Sequence, residues 1–133
     1  MSVPRVGRAW RWFAVALWMG VIFYVSAQPD LPHHPEATTD VILKKLGHLA
    51  EYGILAGLVL WALVQDGDSS RRRAILGAFA FAALYALSDE IHQRFVPGRD
   101  SQPLDVAFDL VGAGLALSVV GRLFPPRGSP PGR

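Results

Sequence analysis

Three short stretches hold the side chains able to do chemistry: Lys45, His48, Glu51 and Tyr52; then Asp89, Glu90, His92, Gln93 and Arg99; then Asp105 and Asp109. Positions three or four apart share a helix face, so His48 meets Glu51 and Tyr52, Asp89 meets His92 and Gln93, and Asp105 meets Asp109. Imidazoles beside carboxylates can move protons, and two histidines with neighbouring acids can in principle ligate zinc or manganese. Lys45 and Arg99 have the charge to grip a phosphate or carboxylate. Two aspartates on one face repel, so Asp105 and Asp109 require a bound cation, a shared proton, or Lys45, Arg99 or a histidine between them.

Three readings of these residues stay open. In one, they recognise an anionic or amphiphilic head group, Lys45 and Arg99 holding its negative charge while His48, Glu90, His92 and Gln93 shape the hydrogen bonds and Asp105 and Asp109 fix Arg99. In the second, they catalyse a metal-dependent or acid–base reaction on a lipid-linked substrate. In the third, they only lock helices together. No HExxH, GxSxG or glycine-rich phosphate loop narrows the choice, and neither a cofactor nor a dedicated metal site is expected. The absence of cysteine excludes disulfides, thiolate metal sites and a cysteine nucleophile.

The elements that must position these groups are membrane helices. Of 133 residues, 51% are hydrophobic and 18% charged, and the mean hydropathy is +0.28, too apolar for an ordinary soluble domain. Apolar stretches run from about Trp10 to Val25, Leu46 to Val64, Ala74 to Phe95 and Leu104 to Phe124, each near the roughly 20 residues that cross a bilayer as helix. Lipid offers the backbone no hydrogen-bond partners, so an all-α, four-helix membrane bundle is expected over residues 1–124. Gly53 with Gly57, Ala78 with Ala82 and Ala86, and Gly112 with Ala116 form ridges of small residues on which such helices pack closely. The net charge of +2 does not indicate nucleic acid, because the arginines cluster beside apolar runs.

The same basic residues give a direction. Alternating segments hold nine and four of the 13 Lys and Arg, which predicts both termini in the cytoplasm and a multi-pass protein of the inner, cytoplasmic membrane. All three stretches then lie at the outer face, while the inner halves of the spans hold almost no polar groups. Asp109 lies a turn deeper than Asp105, where an isolated carboxylate costs about 2.5–3.5 kcal/mol on insertion scales. A secretory leader ending at Val25-Ser26-Ala27 is the competing reading of the N-terminus, but the aromatic-rich run from Trp10 to Tyr24 suits a retained span. Ser26 to Lys45 is expected as a Pro- and His-rich connection able to lie over the outer face. His33 and His34 within it are solvated rather than ligands. Gln65 to Ser70 reads as a polar turn, Pro97-Gly98 as a tight turn, Ser101 as the cap of the fourth helix with Pro103 in its first turn, and 125–133 as a disordered cytoplasmic tail.

Lys45-x-x-His48-x-x-x-Tyr52, Ser88-Asp89-Glu90-Ile91-His92-Gln93-x-Phe95-Val96-Pro97-Gly98-Arg99, Asp105-x-x-x-Asp109-x-x-Gly112 and Ser26-Ala27-Gln28-Pro29 together resemble the VanZ family of bacterial membrane proteins. The resemblance runs from about Val21 to Leu117. It implies a small integral membrane protein of the cell envelope, in a family named for a member that accompanies glycopeptide resistance, especially to lipid-tailed teicoplanin. It also implies lipid-linked wall precursors or lipoglycopeptide antibiotics as the amphiphiles to consider. Asp109 departs from the pattern, which has Asn there, so the role of that position does not carry over.

Overall fold

The computed structural model describes residues 6–29, 37–64 and 71–123. Four helices make it up: α1 (Val6–Ser26), α2 (Ala37–Leu63), α3 (Arg71–Arg94) and α4 (Pro103–Leu123). Each is long and apolar enough to cross a membrane. Large apolar side chains such as Phe13, Leu17, Tyr24, Leu84, Leu115 and Leu123 point outward, as in a bundle whose solvent is lipid. The expected flap, His33 and His34, the turn from Gln65 to Ser70 and the tail from Pro125 lie outside the described residues.

The helices outrun the apolar stretches that announce them. α2 begins at Ala37, nine residues before Leu46, because Lys44 and Lys45 interrupt the hydropathy but not the helical hydrogen bonding. Asp40 in its first turn also favours that end of the helix dipole. The connection expected from Ser26 to Lys45 is therefore helical over nearly its last half.

α2 is the hub. It packs against α1, α3 and, most extensively, α4. Tyr52, Leu55, Ala56 and Val59 on α2, Ala78, Ala82 and Ala86 on α3, and Ala113 with Leu117 on α4 form the core. The α2–α4 crossing is close because Gly112 has no side chain: a Cβ there would lie 2.2 Å from the Leu49 carbonyl oxygen and 2.8 Å from its Cα. Opposite, a Cβ on Gly53 would meet the Gly112 oxygen at 3.3 Å and the Ala116 Cβ at 3.5 Å. Gly57, expected to extend this ridge, faces nothing within 4 Å and takes no part in the contact.

Arginines from neighbouring elements cap three helix C-termini, whose last carbonyls lack intrahelical partners. Arg11 Nη1 donates to the Trp61 and Val64 oxygens at the end of α2, at 3.2 and 2.9 Å. Arg71 Nη2 donates to the Val120 oxygen near the end of α4 at 3.1 Å. Arg99 Nη1 donates to the Val25 and Gln28 oxygens at the exit of α1, both at 3.1 Å. Gly98 makes the last contact possible: its φ of 77° turns the chain, and a Cβ on it would press to 3.1 Å on Pro29.

Substituting Gly112→Ala is expected to force α2 and α4 apart and lower stability in detergent by about 1–3 kcal/mol, the usual penalty of overpacking. Gly57→Ala should stay within about 0.5 kcal/mol of the parent. Thermal unfolding followed by circular dichroism compares the two.

Candidate functional site

The C-terminal end of α3 and the N-terminal halves of α2 and α4 meet, so the three polar stretches converge on one pole of the bundle. His48, Asp89, Glu90, Gln93, Asp105 and Asp109 are all buried there, beside the fully buried Tyr52. Asp109 stands 14 residues from the far end of α4 at Leu123, about 21 Å at 1.5 Å per residue, which is inside a hydrocarbon core of about 30 Å. His48 stands at a similar height above Leu63 on α2. Partners for these groups therefore have to come from the protein or from something bound to it.

Between α2 and α4 the partners are ionic. Lys45 Nζ pairs with Asp105 Oδ1, and the ammonium also lies 5.2 Å from the centre of the Phe108 ring. His48 Nδ1 meets Asp109 Oδ1 at 2.7 Å, and its Nε2 is 3.8 Å from Asp105 Oδ2. The imidazole thus stands between the two aspartates, which is how their mutual repulsion is relieved. The close backbone approach at Gly112, one turn below Asp109, brings these side chains within reach.

Toward α3 the partners are neutral. Tyr52 Oη donates to Asp89 Oδ2 at 3.2 Å, and Gln93 Nε2 donates to the same oxygen at 3.3 Å. Ser101 Oγ donates to Glu90 Oε1 at 2.5 Å. Ser101 was expected to cap α4; it is drawn to Glu90 instead, and Gln102 immediately precedes the first helical residue, Pro103. Glu51 is half-buried, and Asp89, Asp109, His48 and Arg99 all act on it electrostatically. His92 stacks on Phe23 of α1, ring centres 4.4 Å apart and planes 11° from parallel.

Two expected roles change. Arg99 was to be fixed by Asp105 and Asp109, but it caps α1 through the Val25 and Gln28 carbonyls, because the turn at Gly98 aims it toward that exit. Lys45, expected to hold a ligand's negative charge, is engaged by Asp105. Among the described residues, no three His, Asp or Glu side chains converge closely enough to hold a metal ion.

Some buried polar atoms have no hydrogen-bond partner among the described residues: Asp105 Oδ2, Gln93 Oε1, His92 Nδ1 and Ser26 Oγ. Ser26 and Phe23 were not expected in the site; the Ser26-Ala27-Gln28-Pro29 motif was a sign of Ser26 alone. Tyr85 donates to the Met19 oxygen at 2.7 Å and tethers α3 to α1. Beside it, Met19, Phe81 and Leu84 line an apolar groove of about 270 Å³. The Tyr85 ring centre is 6.3 Å from that of Tyr52, so the groove adjoins the polar pole.

Removing one partner of a buried ion pair leaves a charge stranded. Lys45→Met is therefore expected to cost about 3–5 kcal/mol, and Lys45→Met with Asp105→Leu to recover most of that loss. Unfolding of the single and double variants in detergent checks it.

Comparison with curated proteins and with solved structures finds no match. A family model, VanZ/LLP1, matches residues 11–124, which takes in α1 from Arg11 onward, the whole of α2, α3 and α4, and every residue of the polar pole. The chain is a member of the VanZ/LLP1 family.

Proposed function

We propose that the polar pole recognises the head group of an amphiphilic molecule of the cell envelope, such as a lipid-linked wall precursor or a lipoglycopeptide antibiotic, at the outer face of the inner membrane. The observation that carries this reading is the set of buried polar atoms without partners. An unsatisfied buried donor or acceptor costs about 1–3 kcal/mol, and among the described residues Asp105 Oδ2, Gln93 Oε1, His92 Nδ1 and Ser26 Oγ are left without a partner. A bound head group would satisfy them. The groove at Met19, Phe81, Leu84 and Tyr85 supplies an apolar path for a tail beside the same pole.

A role in glycopeptide or teicoplanin resistance follows if the amphiphile is the drug or its target. Recognition of an ordinary envelope lipid accounts equally well for the same groups.

A second reading has its own support. Lys45–Asp105 and His48–Asp109 join α2 to α4, and Tyr52–Asp89 joins α2 to α3, so the cluster also acts as a lock between helices. The two readings separate at Ser26, whose hydroxyl has no partner among the described residues. Under recognition, Ser26→Ala keeps its stability within about 0.5 kcal/mol yet retains the co-purifying amphiphile about 2- to 10-fold less well, as the loss of one hydrogen bond requires. Native mass spectrometry of the purified protein reads the retention. A protein that carries no amphiphile in either form is a lock only.

A further inference from the structure

The charges at the polar pole do not balance. Among the described residues, five carboxylates, Glu51, Asp89, Glu90, Asp105 and Asp109, stand there with two permanent cations, Lys45 and Arg99. At the rim, Lys44 and Arg94 are matched by Asp40 and Asp100 and leave the difference unchanged. A protonated His48 would complete a neutral quartet with Lys45, Asp105 and Asp109, but Asp89 and Glu90 receive their hydrogen bonds from the neutral Tyr52, Gln93 and Ser101.

The unpartnered atoms point the same way. Gln93 is 1% exposed, and its amide is oriented by donating Nε2 to Asp89; turned over, it would set a carbonyl against a carboxylate. Its Oε1 is therefore a buried acceptor lacking a donor among the described residues, and Asp105 Oδ2, on a side chain equally buried, is another. An excess of carboxylate with unfilled acceptors calls for a ligand that is positive and donates hydrogen bonds. A divalent metal needs converging ligands, and among the described residues no three of His, Asp and Glu provide them. An ammonium accepts a looser arrangement of acceptors and aromatic rings.

We propose that the amphiphile's head group carries a primary ammonium, which the Asp89, Gln93 and Glu51 side chains receive at the top of the Met19–Tyr85 groove. The inference rests on the recognition reading above and reverses the charge first expected of the ligand. A primary amine is specified because the acceptors need N–H donors, which a quaternary ammonium lacks.

Head-group selectivity tests this on the wild-type full chain. The purified protein in a maltoside detergent is titrated with dimyristoyl phosphatidylethanolamine, phosphatidylglycerol and phosphatidylcholine, which share chains and phosphate, and occupancy is read by native mass spectrometry. Phosphatidylethanolamine is expected to bind at least about tenfold more tightly than the other two, a difference of about 1.4 kcal/mol. Asp89→Asn should bring the three within about threefold. If that variant does not fold, Glu51→Gln, at a half-buried position, should reduce the selectivity in the same direction. Phosphatidylglycerol or phosphatidylcholine binding as tightly as phosphatidylethanolamine to the wild type overturns the ammonium while leaving amphiphile recognition standing. No retention of phosphatidylethanolamine overturns the ammonium as well, whereas recognition itself is overturned only if the purified protein carries no amphiphile at all.

Discussion

The close crossing of α2 over α4 is the constraint on which the rest of the molecule depends. Because Gly112 carries no side chain, the α4 backbone lies directly on the backbone of Leu49, and this approach brings Lys45 and His48 to Asp105 and Asp109. The dependence runs both ways. Without the ionic contacts, two aspartates within the hydrocarbon depth would oppose insertion of α4; without the glycine, the side chains would be held apart. Packing between small residues and pairing between charges are one interface read at two heights.

That interface organises the other two helices. α3 joins it through Tyr52–Asp89 and its alanine face, and the turn after α3 reaches across to cap α1 with Arg99. α1 is the most loosely held of the four. Its contact with α3 includes the Tyr85 tether, the Phe23–His92 stack and the Trp12–Phe81 ring contact, with the apolar groove beside them. The ionic and close-packed contacts thus lie on the α2–α4 side of the bundle, and the apolar groove lies on the α1–α3 side.

Much of this was legible in the sequence. The four spans followed from hydropathy, the convergence of polar groups from their placement at alternating ends of three successive helices, and the tight crossing from Gly53, Gly112 and Ala116. The need of Asp105 and Asp109 for a histidine or Lys45 between them was also readable; that both would come from α2 followed only from the crossing. Arg99 was misplaced because its partners are the backbone carbonyls of Val25 and Gln28, which no side-chain pattern marks. Ser101 was misplaced because the demand of a buried Glu90 outweighs that of an exposed helix end. The start of α2 was hidden because hydropathy registers Lys44 and Lys45 as an interruption, whereas a helix backbone does not.

Recognition of an envelope molecule requires the polar pole to face outward, and the cysteine-free chain offers a direct measurement of that. Single-cysteine variants Gln102→Cys, exposed beside the pole, and Arg72→Cys, exposed at the opposite end, are treated in intact cells with a membrane-impermeant maleimide. Outward placement of the pole predicts that Gln102→Cys is labelled at once and Arg72→Cys only after the cells are permeabilised. Labelling in the reverse order would place the pole in the cytoplasm and contradict it.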